Sequence, residues 1–286
     1  VLALSAVLAA CGGGDDKEST ESSEGTKELN LVIASEPPSL NPQLATDSQS
    51  GSILNAVFEG LTRVDKKGNV ENAMAEDVKV SDDKLTYTFT LRDAKWSNGD
   101  QVVAGDFEYA WKWALNPKNA SQYAYIFYAI EGAEAYNLGK GSADKVGVKA
   151  LDDQTLEVKL NNPTPYFLEL TAFYSYMPVN QKVAEQNDKW FAEAGDNYVT
   201  NGPFTLKDWK HNASVTLAKS DNYWDKGNVD LDTINIQMVE SAATADRLFQ
   251  SGDLDFLGAP FQSVSLDKID TYKADKSLNI TDIASV

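Results

Sequence analysis

Residues 84–100 read KLTYTFTLRDAKWSNGD and carry the first of the two periods on which a mixed fold is built. Leu85, Tyr87, Phe89 and Leu91 alternate with Thr86, Thr88 and Thr90. A two-residue period in aromatic and β-branched residues predicts a strand with one buried face. Trp96 then stands just before an Asn98-Gly99 turn. Beyond the turn, Phe107, Ala110, Trp111 and Ala114 recur at helical spacing, which predicts a helix starting near Ala104. Asp106 falls in its first turn, where negative charge is favoured. Val103, in the capping position, has no side-chain oxygen to offer.

Moving outward, residues 28–35 (ELNLVIAS) read as a first strand, followed by Pro37, Pro38 and Pro42 in an extended turn. Residues 50–61 place Ile53, Leu54, Val57, Phe58 and Leu61 at helical spacing. Residues 154–160 alternate as a strand, and 182–194 read as a helix. Residues 204–209 and 214–219 form a hairpin in this reading, and 233–239 a strand. Residues 242–250 read as a helix, 253–257 as a strand, and 268–274 as a last helix. Strands and helices alternate irregularly, so the expected class is α/β in a mixed α+β arrangement.

Composition supports a packed core: 42% of residues are hydrophobic and 10% aromatic, far above what disordered chains carry. The formal net charge of −18 argues against nucleic-acid binding, which needs clustered Lys and Arg. The single histidine, His211, lies in a polar turn, and one histidine excludes multi-His metal sites and two-His relays. No GxSxG, P-loop or GxGxxG occurs. The carboxylate pairs Asp82-Asp83 and Asp152-Asp153 sit in turns before strands, where turn chemistry explains them. The sequence implies no catalytic residue, no metal and no cofactor. Trp111, Trp113, Tyr123, Tyr125, Phe127 and Tyr128 lie close together, a group that suits core packing or a ligand-facing wall.

The N-terminus reads as an address. Residues 1–10 (VLALSAVLAA) are too short an apolar run to span a bilayer and fit the end of a signal peptide. Leu8-Ala9-Ala10-Cys11 resembles the bacterial lipobox, in which the cysteine is acylated and becomes the mature N-terminus. Residues 12–26 (GGGDDKESTESSEGT) hold no apolar residue and suit a flexible tether. The expectation is a lipoprotein held on the extracellular face of the cell membrane through Cys11.

Four segments together resemble the family 5 extracellular solute-binding proteins. They are Ser39-Leu40-Asn41-Pro42 with Phe58-Glu59-Gly60-Leu61; Leu91-Arg92 through Ala94-Lys95-Trp96-Ser97-Asn98-Gly99-Asp100 with Asp106-Phe107 and Trp111; Thr200-Asn201-Gly202-Pro203-Phe204; and Asn222-Tyr223-Trp224-Asp225 with Ser251-Gly252-Asp253-Leu254-Asp255. The resemblance implies a bilobed periplasmic-binding-protein-like fold. Residues 1–10 would be signal-peptide remnant and 11–27 tether. Residues 28–58 and 182–286 would build a discontinuous lobe one, and 59–181 an inserted smaller domain. The second lobe would be missing, making the chain a fragment. The resemblance further implies capture of extracellular oligopeptides for the permease subunits of an ABC importer, by a monomer that is not an enzyme. Thr46, Asp47 and Ser48 match the segment that pairs with peptide backbone, although they also suit a plain helix N-cap. Tyr123 matches a cleft-lining tyrosine, although core packing suits it too. Gly258 and Ala259 fall near the expected crossover between lobes. A pheromone receptor, a receptor for dipeptides, nickel or haem, and a cell-surface peptidase remain as alternatives.

Overall fold

A computed structural model describes residues 26–281. The chain runs β1 (Glu28–Ile33), α1 (Ser48–Val57), β2 (Thr62–Val64), β3 (Val70–Asn72), β4 (Ala75–Val80), β5 (Thr86–Leu91), α2 (Ala104–Leu115) and α3 (Ala133–Asn137). It continues through β6 (Val148–Ala150), β7 (Thr155–Lys159), α4 (Phe167–Leu170), α5 (Gln181–Gln186), β8 (Phe204–Lys210), β9 (Ser214–Lys219), β10 (Thr233–Met238), α6 (Ala242–Ser251) and α7 (Ile269–Ala274). The mixed α/β class expected from the sequence is the class observed.

Two four-stranded sheets organise these elements. The first has the order β1-β10-β9-β8, with β1 parallel to β10 and the other pairs antiparallel. The second has the order β4-β5-β7-β6 and is antiparallel throughout. In β5 the predicted alternation holds: Tyr87, Phe89 and Leu91 are buried. Helix α2 packs against β6 and β7, burying Phe107, Ala110, Trp111 and Ala114. A continuous apolar core reaches from Leu31 and Ile236 in the first sheet to Phe89 and Leu156 in the second.

Three boundaries differ from the sequence reading. Helix α1 ends at Val57 instead of Leu61, because Phe58 turns extended and Gly60 passes where a Cβ would lie 2.5 Å from the Thr171 carbonyl oxygen. Helix α5 ends at Gln186 instead of running to Ala194. Asn187 leaves helical backbone and its Oδ1 accepts from Lys189 N–H at 3.0 Å, a local bond that competes with the helix. Trp190 is thereby freed to pack edge-on against Phe58. Residues 253–257 form no strand. Asp255 lies beside β1, but its carboxylate, instead of a backbone carbonyl, takes Asn30 N–H at 2.7 Å.

Candidate functional site: an aromatic face at the start of a helix

The sequence motifs and the candidate ligand-facing residues occupy different places, and the motifs are structural. Glu59 is buried, and its carboxylate accepts from Tyr223 Oη at 2.6 Å, Trp224 Nε1 at 2.5 Å and Arg63 at 3.3 Å. Burial pushes its pKa up, and these three partners oppose the rise. Arg92 lies over the Trp224 ring at 3.6 Å. Asn201 bridges to the Glu59 backbone, and Gly202 runs so close to Val57 that a Cβ would meet its carbonyl carbon at 2.5 Å.

A second hub surrounds Asp106. Its Oδ2 accepts from Trp96 Nε1 at 2.9 Å and from Val103 N–H at 3.0 Å, and its Oδ1 from Gln181 N–H at 3.0 Å. Val103 contributes no side-chain cap, as its chemistry requires, but Asp106 satisfies the backbone there and does more than supply charge. Burial raises the Asp106 pKa against those bonds. Asn222 donates to the carbonyls of Trp96 and Ser97, at 3.2 and 3.0 Å. The Phe58-to-Leu61, Trp96-to-Asp100, Thr200-to-Phe204 and Asn222-to-Asp225 motifs thus form one joint between the two sheets.

The residues that the sequence reading named as ligand-facing lie on another face. Asp47 is the N-cap of α1, its Oδ1 accepting from Ser50 N–H at 2.8 Å. Its Oδ2 is buried without a partner. Ser48 begins the helix and is exposed. Thr46 accepts through its carbonyl from Tyr123 Oη at 3.1 Å. The N-cap reading therefore holds for Asp47, whose second carboxylate oxygen reaches no open surface, and Ser48 is the exposed residue of the three. Tyr123 is half-buried and meets Tyr125, Phe173 and Tyr174 at ring distances of 6.0, 6.0 and 6.4 Å. It joins a wall of rings, of which Tyr125 is 59% and Phe173 37% exposed. Burial, then Tyr123 and Asp47, push the Tyr174 hydroxyl pKa well up, so it remains protonated and able to donate.

Phe173 and Tyr174 escaped the sequence reading. The signal was the aromatic run Phe173-Tyr174-Ser175-Tyr176 after a helical segment, which periodicity alone assigns to the core. Tyr176 does go there, fully buried and bonded to the Ile126 carbonyl at 2.8 Å. Gly258 and Ala259 share no hydrogen bond or ring contact with this face among the described residues. They sit in a turn where Gly258 bridges to Gln262. Two surface depressions, about 420 and 480 Å³, lie elsewhere, around Asn161 and around Lys112. Cys11 lies outside the described residues. His211, expected as a plain turn residue, has carboxylates on both ring nitrogens, Glu36 at 2.6 Å and Glu193 at 3.3 Å.

Comparison with known proteins places this arrangement. The chain is 53% identical over 290 residues to the oligopeptide-binding protein OppA of Bacillus subtilis, covering 100% of this chain and 53% of that protein. The crystal structure of an oligopeptide ABC transporter substrate-binding domain from Bacillus anthracis superposes with a TM-score of 0.82 at 44% identity, covering 88% of this chain and 48% of that one. Listeria monocytogenes OppA bound to peptide gives 0.81 at 40% identity, covering 88% and 49%. The chain thus spans about half the length of the relatives it matches. A profile described as bacterial extracellular solute-binding proteins, family 5 Middle, matches residues 69–285. With the two-sheet core, its polar joint and these likenesses in agreement, the chain belongs to family 5 of the bacterial extracellular solute-binding proteins.

Proposed function

We propose that the full-length protein captures extracellular oligopeptides and hands them to the permease subunits of an ABC importer, acting as a monomeric binder without a catalytic step. The observation that carries this reading is the placement of the main-chain N–H groups of residues 46–48, at the start of α1, beside aromatic rings. Residues 46–48 enter α1 beside Tyr123 and Tyr174, so a bound chain can align with main-chain groups while its side chains rest on rings. Backbone pairing gives affinity that ignores side-chain identity, and roomy apolar walls tolerate many side chains. The relatives' names favour peptides over nickel or haem.

Within this reading, residues 28–58 and 182–286 belong to one lobe, 59–181 to a smaller inserted domain, and a second lobe closes over the ligand from outside this chain. Gly258 and Ala259 lie on the route toward it. Lipid on Cys11 holds the protein at the outer face of the cell membrane, with residues 12–26 as tether.

Mass spectrometry of ligand co-purified with the full-length protein tests the proposal. Mixed short peptides, released on denaturation and absent from a mock purification, are the expected result. A single non-peptide ligand in stoichiometric amount refutes it.

A further inference from the structure

Gln43 is 2% exposed and reaches no open surface, yet it bonds to all three segments that build the aromatic face. Its Nε2 donates to the carbonyls of Ser175 and Met177, at 3.2 and 2.9 Å. Its carbonyl accepts from Ser121 Oγ at 2.6 Å. Its N–H donates to Asn41 Oδ1 at 2.9 Å, fixing the turn from which it projects. Three residues along its own segment lies Thr46. Two residues beyond Ser121 lies Tyr123, and immediately before Ser175 lies Tyr174. Gln43 therefore stands behind the main chain of the site where the members of the face come together.

The bonds also form a closed figure. Ser121 to Gln43 and Tyr123 to Thr46 are two bridges between the same two segments, so each residue pair limits rotation about the other. The Gln43 amide then ties that pair of segments to the one bearing Phe173 and Tyr174. Two buried carbonyls need donors, and one primary amide nitrogen supplies both. A carboxylate of the same shape supplies neither, and a thioether of similar volume leaves both carbonyls bare.

We propose that Gln43 is the positioning residue of the ligand site, setting the spacing between the 46–48 segment and the aromatic wall of Tyr123, Phe173 and Tyr174. The inference rests on the peptide-binding reading above. Gln43 touches no ligand and acts through the segments it joins. Ligands that use main-chain groups and rings at once depend on that spacing. Ligands that use main-chain groups alone do not.

The test uses the full-length protein, as wild type, Gln43→Met and Ser121→Ala. Calorimetry is run with two peptides of equal length, one bearing aromatic side chains and one built from alanine. In Gln43→Met the preference for the aromatic peptide falls by roughly threefold to tenfold, the scale of one or two misplaced contacts. In Ser121→Ala it falls by roughly twofold to threefold, for a single weakened bridge. A merely structural role lowers the active fraction, and hence the stoichiometry, for both peptides equally and leaves their affinity ratio alone. An unchanged ratio in Ser121→Ala and in any folded Gln43→Met overturns the proposal. Should Gln43→Met fail to fold, Ser121→Ala decides. If the wild type binds neither peptide, the peptide reading itself fails, and the positioning role with it.

Discussion

Asn201 and Glu59 bond to each other twice: Glu59 N–H donates to Asn201 Oδ1, and Asn201 Nδ2 donates to the Glu59 carbonyl, both at 3.0 Å. Both residues are buried, and 142 positions separate them in the chain. A side-chain amide here stands in for a strand partner, completing the backbone of a segment that belongs to no sheet.

Replacing Asn201 with alanine leaves one buried donor and one buried acceptor without partners. Each such group costs about 1–3 kcal/mol, so a loss of about 2–6 kcal/mol is expected. Asn201→Asp keeps the acceptor but sets a buried carboxylate oxygen against the Glu59 carbonyl, so it should lose at least as much. Urea unfolding measures both. A loss under about 1 kcal/mol for Asn201→Ala contradicts a structural role for this pair.

His211 should carry a pH-dependent share of stability. The hydrogen bond that its ring donates to the Glu36 carboxylate raises its pKa, and Glu193 raises it further. The folded value therefore lies above the unfolded one, near 6.5. Stabilisation is then fully present below about 6.5 and is lost as pH rises through the folded value. The melting-temperature gap between wild type and His211→Ala should be widest in mild acid and narrow toward alkaline pH. A gap that stays constant across that range removes the linkage. NMR titration of the imidazole gives the folded value directly.

Main-chain pairing at residues 46–48 predicts sensitivity to backbone chemistry in the ligand. Peptides with N-methylated amides should bind the full-length protein more weakly by about 1–3 kcal/mol per lost donor. Equal affinity for methylated and plain peptides, measured by calorimetry, counts against strand-like pairing.

The lipobox reading predicts that Cys11→Ala releases the protein from membranes into the medium. Fractionation followed by immunoblotting checks this. A variant that remains with the membrane to the wild-type extent shows that something else anchors it.

Much of the fold was legible because short-range patterning decided it. The alternation of Tyr87, Phe89 and Leu91 fixed β5, and the stripe of Phe107, Ala110, Trp111 and Ala114 fixed α2, both with the expected faces buried. Reading failed where a side chain replaced the backbone as hydrogen-bond partner. Asn187 ends α5 early, and Asp255 occupies the place of a ladder carbonyl, and neither event leaves a period in the sequence. In the proposed site, Asp47 and Tyr123 were named through resemblance. Phe173, Tyr174 and Gln43 were missed because burial behind a loop and aromatic runs both read as ordinary core. The family motifs drew attention to the joint between the sheets and away from the aromatic face.

The placement of β1 bears on the order in which the molecule assembles. This strand is the first element among the described residues, yet Lys27 beside it bonds to Asp232, 205 residues later, and Asn30 bonds to Asp255, 225 residues later. Contacts so distant along the chain cannot form until nearly all the intervening polypeptide exists, and closing so long a loop slows folding. The second sheet, whose strands lie between residues 75 and 159, can close while β1 still waits. A polypeptide that emerges N-terminus first therefore does so with this strand unpaired. Completion of the first sheet is then a late event, and residues 28–33 remain a free strand until β10 arrives.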